Sequence, residues 1–177
     1  MATGATIYKI DLQISNMDSH YYEGHTLTIA KHPSETDERL MVRILAFALY
    51  AHERLEFGKG LSDQDEPALW LKSLTGSIDL WIEVGLVNEN RMRKACSKSD
   101  NVVLILYGSK ADHWWKQNKK YLCDNKKLTV IMLPYESTQA LATLARRQME
   151  LTCTIEDGHV TLLTDEDGIT FKPTTLQ

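Results

Sequence analysis

Cysteine is scarce in this 177-residue sequence: Cys96, Cys123 and Cys153 are odd in number, widely spaced and in no Cys-x-x-Cys pair. Such a pattern supports neither a disulfide framework nor a cysteine-built zinc site, and reduced thiols are the expectation. Long apolar runs are also lacking. Ile44 to Ala51 and Val102 to Tyr107 are continuous apolar runs, and both are far short of the roughly 20 residues that span a bilayer. The start, Met1 to Thr6, has no basic segment followed by an apolar one, so no secretory leader is read there and a cytoplasmic protein without membrane contact is expected. The phosphate-cradling and nucleophile motifs GxGxxG, Walker A and GxSxG are absent, and Gly58-Lys59-Gly60 is too short to replace them. His20, His25, His32, His52, His113 and His159 show no HxH or HExxH spacing, which disfavours a zinc enzyme. Excess charge of one sign is missing too. The net charge of −4 argues against a uniformly basic nucleic-acid coat and leaves a local basic patch open.

What is present suits a single domain over residues 1–177, long enough for a self-sufficient core. Tyr8, Ile10, Leu12 and Ile14 alternate with Lys9, Asp11 and Gln13, the period of a half-buried strand. Turn residues at Asn16 to Ser19 predict a return strand over Tyr21 to Ala30. Ser34 as N-cap, with Asp37 three residues on, predicts a helix that the apolar spacing carries to about Phe57, where Gly58 and Gly60 stop it. Ser62 to Glu66 followed by Pro67 predicts a short helix through Leu69, Trp70 and Leu71. Further on, Asn88 caps a basic helix from Glu89 to Lys98, Val102 to Tyr107 is a buried strand, Lys110 to Tyr121 is a helix, and Leu128 to Leu133 is another buried strand. A helical stretch over Gln139 to Arg147 precedes a meander with turns at Asp157-Gly158 and Asp167-Gly168. Strands alternating with helices point to an α/β (α+β) protein, a mixed sheet flanked by helices with an N-terminal hairpin and a C-terminal antiparallel meander.

The chemistry-bearing stretch is Ser77 to Gly85. On a strand, Ile78, Leu80, Ile82 and Val84 share one face while Asp79, Trp81 and Glu83 share the other, so two carboxylates line one side. A solvated amphipathic strand has this pattern, and so does an acidic site. Carboxylates suit hard ions such as magnesium. Glu35 and Glu38, in the first turn of the long helix, read as capping acids that pair with Arg39 or Arg43. Glu38 lies deeper, where an unpaired charge needs a ligand or a partner. Glu53 falls too far along the same expected helix to share an ion with Glu38.

His32-Pro33-Ser34-Glu35-Thr36, Glu38-Arg39, Ile78 to Gly85 and Arg93-Lys94-Ala95-Cys96 resemble the bacterial YaeQ family over essentially the whole chain, including Trp114-Trp115 and the final meander. That resemblance implies a topological variation on the PD-(D/E)XK nuclease core, a restriction-endonuclease-like fold. Carried over by position, Asp79 resembles the acid of the first element, with Ile78 where its proline would stand. Glu83 resembles the acid of the second, with Gly85 where its lysine would stand. In a nuclease of this type Asp79, Glu83 and the Val84 carbonyl would hold Mg2+, and the lysine would polarise the attacking water. Lys94 is the candidate replacement for that lysine, and Glu38 a further metal-facing acid. Four residues of extended strand separate Cα atoms by about 13 Å, so one shared ion requires a bend near Asp79 that brings the carboxylates within roughly 6 Å.

Two functions follow as expectations. One is a magnesium-dependent phosphodiesterase acting on nucleic acid, with Arg39 and Arg43 contacting phosphates. The other is a non-catalytic member of the fold that binds nucleic acid or a protein partner, as in transcription. A stacking and phosphate surface made of Trp114, Trp115, Lys116, Lys119 and Lys120 is weighed against core tryptophans with a solvated lysine edge, and the core reading is preferred.

Overall fold

A computed structural model describes residues 4–59, 61, 63–122 and 126–177. The expected roles of Gly60 as helix stop, Ser62 as helix start and Cys123 as reduced thiol lie outside the described residues. In chain order the elements are β1 (Thr6–Asn16), β2 (Tyr21–Lys31), α1 (Asp37–Leu49), β3 (Leu55–Phe57), β4 (Leu69–Lys72), β5 (Ile78–Val84), α2 (Glu89–Lys98), β6 (Ser99–Leu106), α3 (Ala111–Leu122), β7 (Leu128–Met132), α4 (Tyr135–Thr143), β8 (Gln148–Glu156), β9 (His159–Leu163), β10 (Gly168–Phe171) and β11 (Thr174–Thr175). The described residues form a mixed α+β protein with two mixed sheets and four helices. Among them no helix is long and apolar enough to cross a membrane.

The chain divides into two compact units, Met1–Val42 with Glu136–Pro173, and Arg43–Tyr135 with Thr174–Gln177. The first holds a five-stranded sheet in the order β10-β9-β8-β1-β2. The expected hairpin and meander are both there, and they join: β1 runs parallel to β8, from Lys9 opposite Gln148 to Asn16 opposite Ile155. Ile10, Leu12, Ile14, Leu151, Cys153, Ile155 and Leu162 supply its core. The Asp157-Gly158 turn has both residues at positive φ, 50° and 74°, the twist a two-residue hairpin requires. Asp18 locks it: its carboxylate accepts from the Asp157 and Gly158 amides at 2.8 and 2.9 Å.

The second unit holds a six-stranded sheet in the order β11-β7-β6-β5-β4-β3. β5, β6 and β7 are parallel neighbours, joined through α2 and α3, and two right-handed crossovers in the same direction put both helices on one face. Met92 and Ala95 of α2 and Ala111 and Leu122 of α3 accordingly share a core with Trp81, Val102, Leu104, Leu106 and Val130. Trp114 and Trp115 pack partly buried against that core. Asn88 caps α2 as expected, its side chain accepting from the Arg91 amide at 2.8 Å.

Three local expectations are corrected. α1 ends at Leu49, not near Phe57. His52 turns the chain, its ring accepting from the Arg54 amide at 3.0 Å and its carbonyl from the Leu55 amide at 3.1 Å. Leu55 to Phe57 then pair with Leu69 to Leu71 as β3. Sheet pairing outweighs an apolar spacing that fits a helix equally well, and Glu53 is no longer on the helix that carries Glu38. The stretch through Leu69, Trp70 and Leu71 is likewise a strand, β4, paired antiparallel with β3 on one edge and β5 on the other; that pairing outweighs the helix preference of the two leucines. The N-cap of α1 is Thr36, whose hydroxyl accepts from the Arg39 amide at 3.1 Å. Ser34 is occupied instead by the His32 ring at 2.6 Å.

Candidate acid site on β5

β5 carries a bulge at Asp79. Lys72 pairs with Ile78 while its neighbour Leu71 pairs with Leu80, so Asp79 is an extra residue with no partner on β4. The irregularity expected near Asp79 is therefore present. It also changes the expected faces: Ile78 turns to the Trp81 side, where it packs on the core that Trp81 helps to build. Asp79 is half-buried, and its backbone carbonyl accepts from the Asn101 amide group at 3.2 Å. Among the described residues no hydrogen bond or ion pair reaches the Asp79 carboxylate.

Glu83 lies in a different environment. It is only 2 % exposed, and its Oε1 accepts from the Trp81 indole N–H at 2.8 Å and from Arg91 Nε at 2.8 Å. Trp81 and Glu83 meet because residues two apart on a strand share a face. Arg91 reaches them from the first turn of α2. The remaining arms of its guanidinium donate to the Gln64 carbonyl at 3.1 Å and the Glu66 carbonyl at 2.8 Å. One planar fork thus joins strand, helix and the preceding loop, a task suited to arginine and not to lysine. Trp70 meets Trp81 edge-on at 6.1 Å, and Lys72 lies over the Trp70 ring at 3.7 Å.

Gly85, at the position where the resemblance puts a lysine, has φ of +93° and donates its amide to Ile105 at 2.8 Å. A Cβ there would touch the Tyr107 ring at an ordinary 3.7 Å, so backbone conformation, not space, is what favours glycine.

The other expected site residues have local partners of their own. Lys94 ion-pairs with Asp65. Glu38, in the first unit, accepts from Thr138 Oγ1 at 2.8 Å and Gln139 Nε2 at 3.0 Å, which satisfies it with hydroxyl and amide donors. Glu35 is buried and pairs with Arg39 at 2.9 Å, the bland role expected of it. Arg43 is 4 % exposed, with its guanidinium carbon 5.9 Å from the centre of the Phe57 ring; it is a core cation and not one presented to solvent. Among the described residues no group of three or more His, Cys, Asp or Glu side chains is arranged to hold a metal ion. Arg91 is the residue that sequence reasoning undervalued. Its signal was there, in an acidic run at residues 63–66 and a basic helix at 89–98 with opposite charge.

This architecture defines a mixed α+β protein with a bulged acidic strand beside two crossover helices. The family model described as YaeQ protein matches residues 1–173, and the chain belongs to the YaeQ family. It is 41 % identical over 178 residues to the "Uncharacterized protein YaeQ" of Escherichia coli (strain K12), covering 100 % of this chain and 98 % of the relative. The protein of the same name from Salmonella typhi is 40 % identical over the same shares. Among solved structures, the YaeQ protein from Xanthomonas axonopodis pv. citri superposes with a TM-score of 0.95 at 49 % identity, covering 98 % of each chain. That from Pseudomonas syringae gives 0.93 at 35 % identity, covering 98 % of this chain and 96 % of the other.

Proposed function

We propose that this protein is a nucleic-acid-binding member of the nuclease-like folds in which the acidic strand has become a structural element. The observation that carries this reading is the Glu83 carboxylate, buried and bonded to the Trp81 indole and the Arg91 guanidinium through one oxygen. Magnesium takes oxygen ligands in near-octahedral geometry, whereas the identified partners of this oxygen are N–H donors and one of them is a cation. Glu83 so bonded does not fit a magnesium ligand. Charge supports a polyanionic partner. The second unit carries 14 Lys and Arg against 11 Asp and Glu, a net +3, and the first carries 6 against 13, a net −7. A net positive unit within an overall acidic chain favours a polyanion over a polycation as its partner.

A second reading is the magnesium-dependent phosphodiesterase, with Asp79 as the surviving ligand and Lys94 and Glu38 assisting. It rests on the unbonded Asp79 carboxylate at the bulge. One experiment separates the two. Labelled single-stranded, duplex and branched DNA and RNA are incubated with wild type and with Asp79→Asn, with Mg2+ or Mn2+. The first reading expects binding without cleavage in both proteins. Cleavage by wild type that Asp79→Asn abolishes establishes the second, and absence of binding to every substrate refutes the first.

A further inference from the structure

Arg91, Lys94 and Lys98 stand three and four residues apart on α2, so they form one stripe along the helix. The segment facing that stripe is acidic: Asp63, Asp65 and Glu66 within residues 63–66. Arg91 holds its backbone through the Gln64 and Glu66 carbonyls, which leaves the Asp65 side chain directed at Lys94, with which it ion-pairs. Lys94, then Lys98 and Arg91, hold the Asp65 carboxyl below its ordinary value, so it is charged at neutral pH. The segment is folded for this task. Asp63 Oδ1 accepts from the Asp65 amide at 2.8 Å, and Glu66 Oε2 accepts from the Lys59 amide at 2.8 Å. A carboxylate presented on a clamped backbone to a line of cations has the chemistry of a phosphate presented on a nucleic-acid strand.

We propose that the Lys94–Lys98 edge of α2 is the phosphate-contacting surface of this protein, and that the Asp63–Glu66 segment occupies it in the free state as an intramolecular competitor. The proposal rests on the nucleic-acid reading above and adds where the strand binds and what restrains it. Arg91, committed to Glu83 and to the loop backbone, is the fixed tether. The Asp65 contact is the releasable part, because its side chain is 72 % exposed and exposed ion pairs are weak and screened by salt.

The test uses the full chain and a fluorescein-labelled single-stranded DNA 20-mer, read by fluorescence anisotropy at several salt concentrations. Asp65→Asn tightens binding about two- to fivefold, the reach of one exposed ion pair. Lys94→Gln weakens binding and lowers the salt slope by about 0.7, one phosphate contact on a single strand. In the Lys94→Gln background the effect of Asp65→Asn disappears. Asp112→Asn, which removes the same charge from an ion pair with Lys116 on α3, leaves the affinity where it was. Equal tightening by Asp112→Asn and Asp65→Asn overturns the proposal in favour of bulk charge. An unchanged affinity in both Asp65→Asn and Lys94→Gln, with wild type binding, overturns it and leaves the nucleic-acid reading standing. Tighter binding of a polyglutamate peptide than of the 20-mer by Asp65→Asn overturns it in favour of an acidic protein partner. Failure of wild type and Asp65→Asn alike to bind the 20-mer removes both this proposal and the reading it rests on.

Discussion

Arg91→Met is the most informative single perturbation of β5. It takes the Arg91 guanidinium away from the Glu83 carboxylate, 2 % exposed, and it also strips donors from the Gln64 and Glu66 carbonyls. Breaking a buried ion pair by removing one partner costs about 3–5 kcal/mol. The Arg91 side chain is 20 % exposed, so water reaches the vacated position in part and the lower end, about 3 kcal/mol, is expected. For a chain of this size that is a fall in Tm of roughly 6–12 °C. Glu83→Gln keeps an oxygen for both donors and loses only the charge assistance, about 1–2 kcal/mol. Replacing both residues, Glu83→Met with Arg91→Met, removes the stranded charge, and the double variant recovers to within about 1–2 kcal/mol of wild type. Urea unfolding followed by circular dichroism measures these four proteins together with Glu83→Met alone, which closes the double-mutant cycle. Arg91→Met within about 0.5 kcal/mol of wild type, or strictly additive single changes, would refute the claim that Glu83 is held in place by this arginine.

Three further outcomes are expected. Gly85→Lys, which restores the lysine of the nuclease pattern, forces a side chain onto a backbone with φ of +93° and lowers stability by about 1–3 kcal/mol without producing cleavage; gain of metal-dependent nuclease activity contradicts the structural reading of β5. Burial pushes the Cys153 thiol up to about 12 from its ordinary 9.0, so the folded protein keeps a proton that the unfolded chain gives up. That contribution is whole below pH 9.0 and is lost as pH rises towards about 12. Unfolding midpoints should decline across this window more steeply in wild type than in Cys153→Ala, and iodoacetamide mapped by mass spectrometry should mark half-exposed Cys96 well before Cys153. Asp18→Ala removes the acceptor of two turn amides and costs about 1–3 kcal/mol, read from the unfolding midpoint; Asp18→Asn, which still offers one oxygen, should lose less.

The sequence by itself determined the elements whose period or punctuation is unambiguous. Strict alternation placed β1, the Asp-Gly turn placed β8 against β9, and Asn88 placed the start of α2 to the residue, because each signal is local and needs no distant partner. It also singled out Asp79 and Glu83 and expected an irregularity beside Asp79, which the bulge supplies. What it read less well was set by partners far away in the chain. An apolar spacing that suits a helix or a strand equally was decided at Leu55 to Phe57 by pairing with β4, and β1 found β8 across more than a hundred residues. The partners of the acids were decided in the same way. Trp81 and Glu83 are neighbours on one face by the pleat, but only the packing of α2 on the sheet brought Arg91 to Glu83 and Lys94 to Asp65. Which cation meets which carboxylate depends on side chains converging from different elements, and that convergence is a property of the tertiary structure and not of any spacing in the chain.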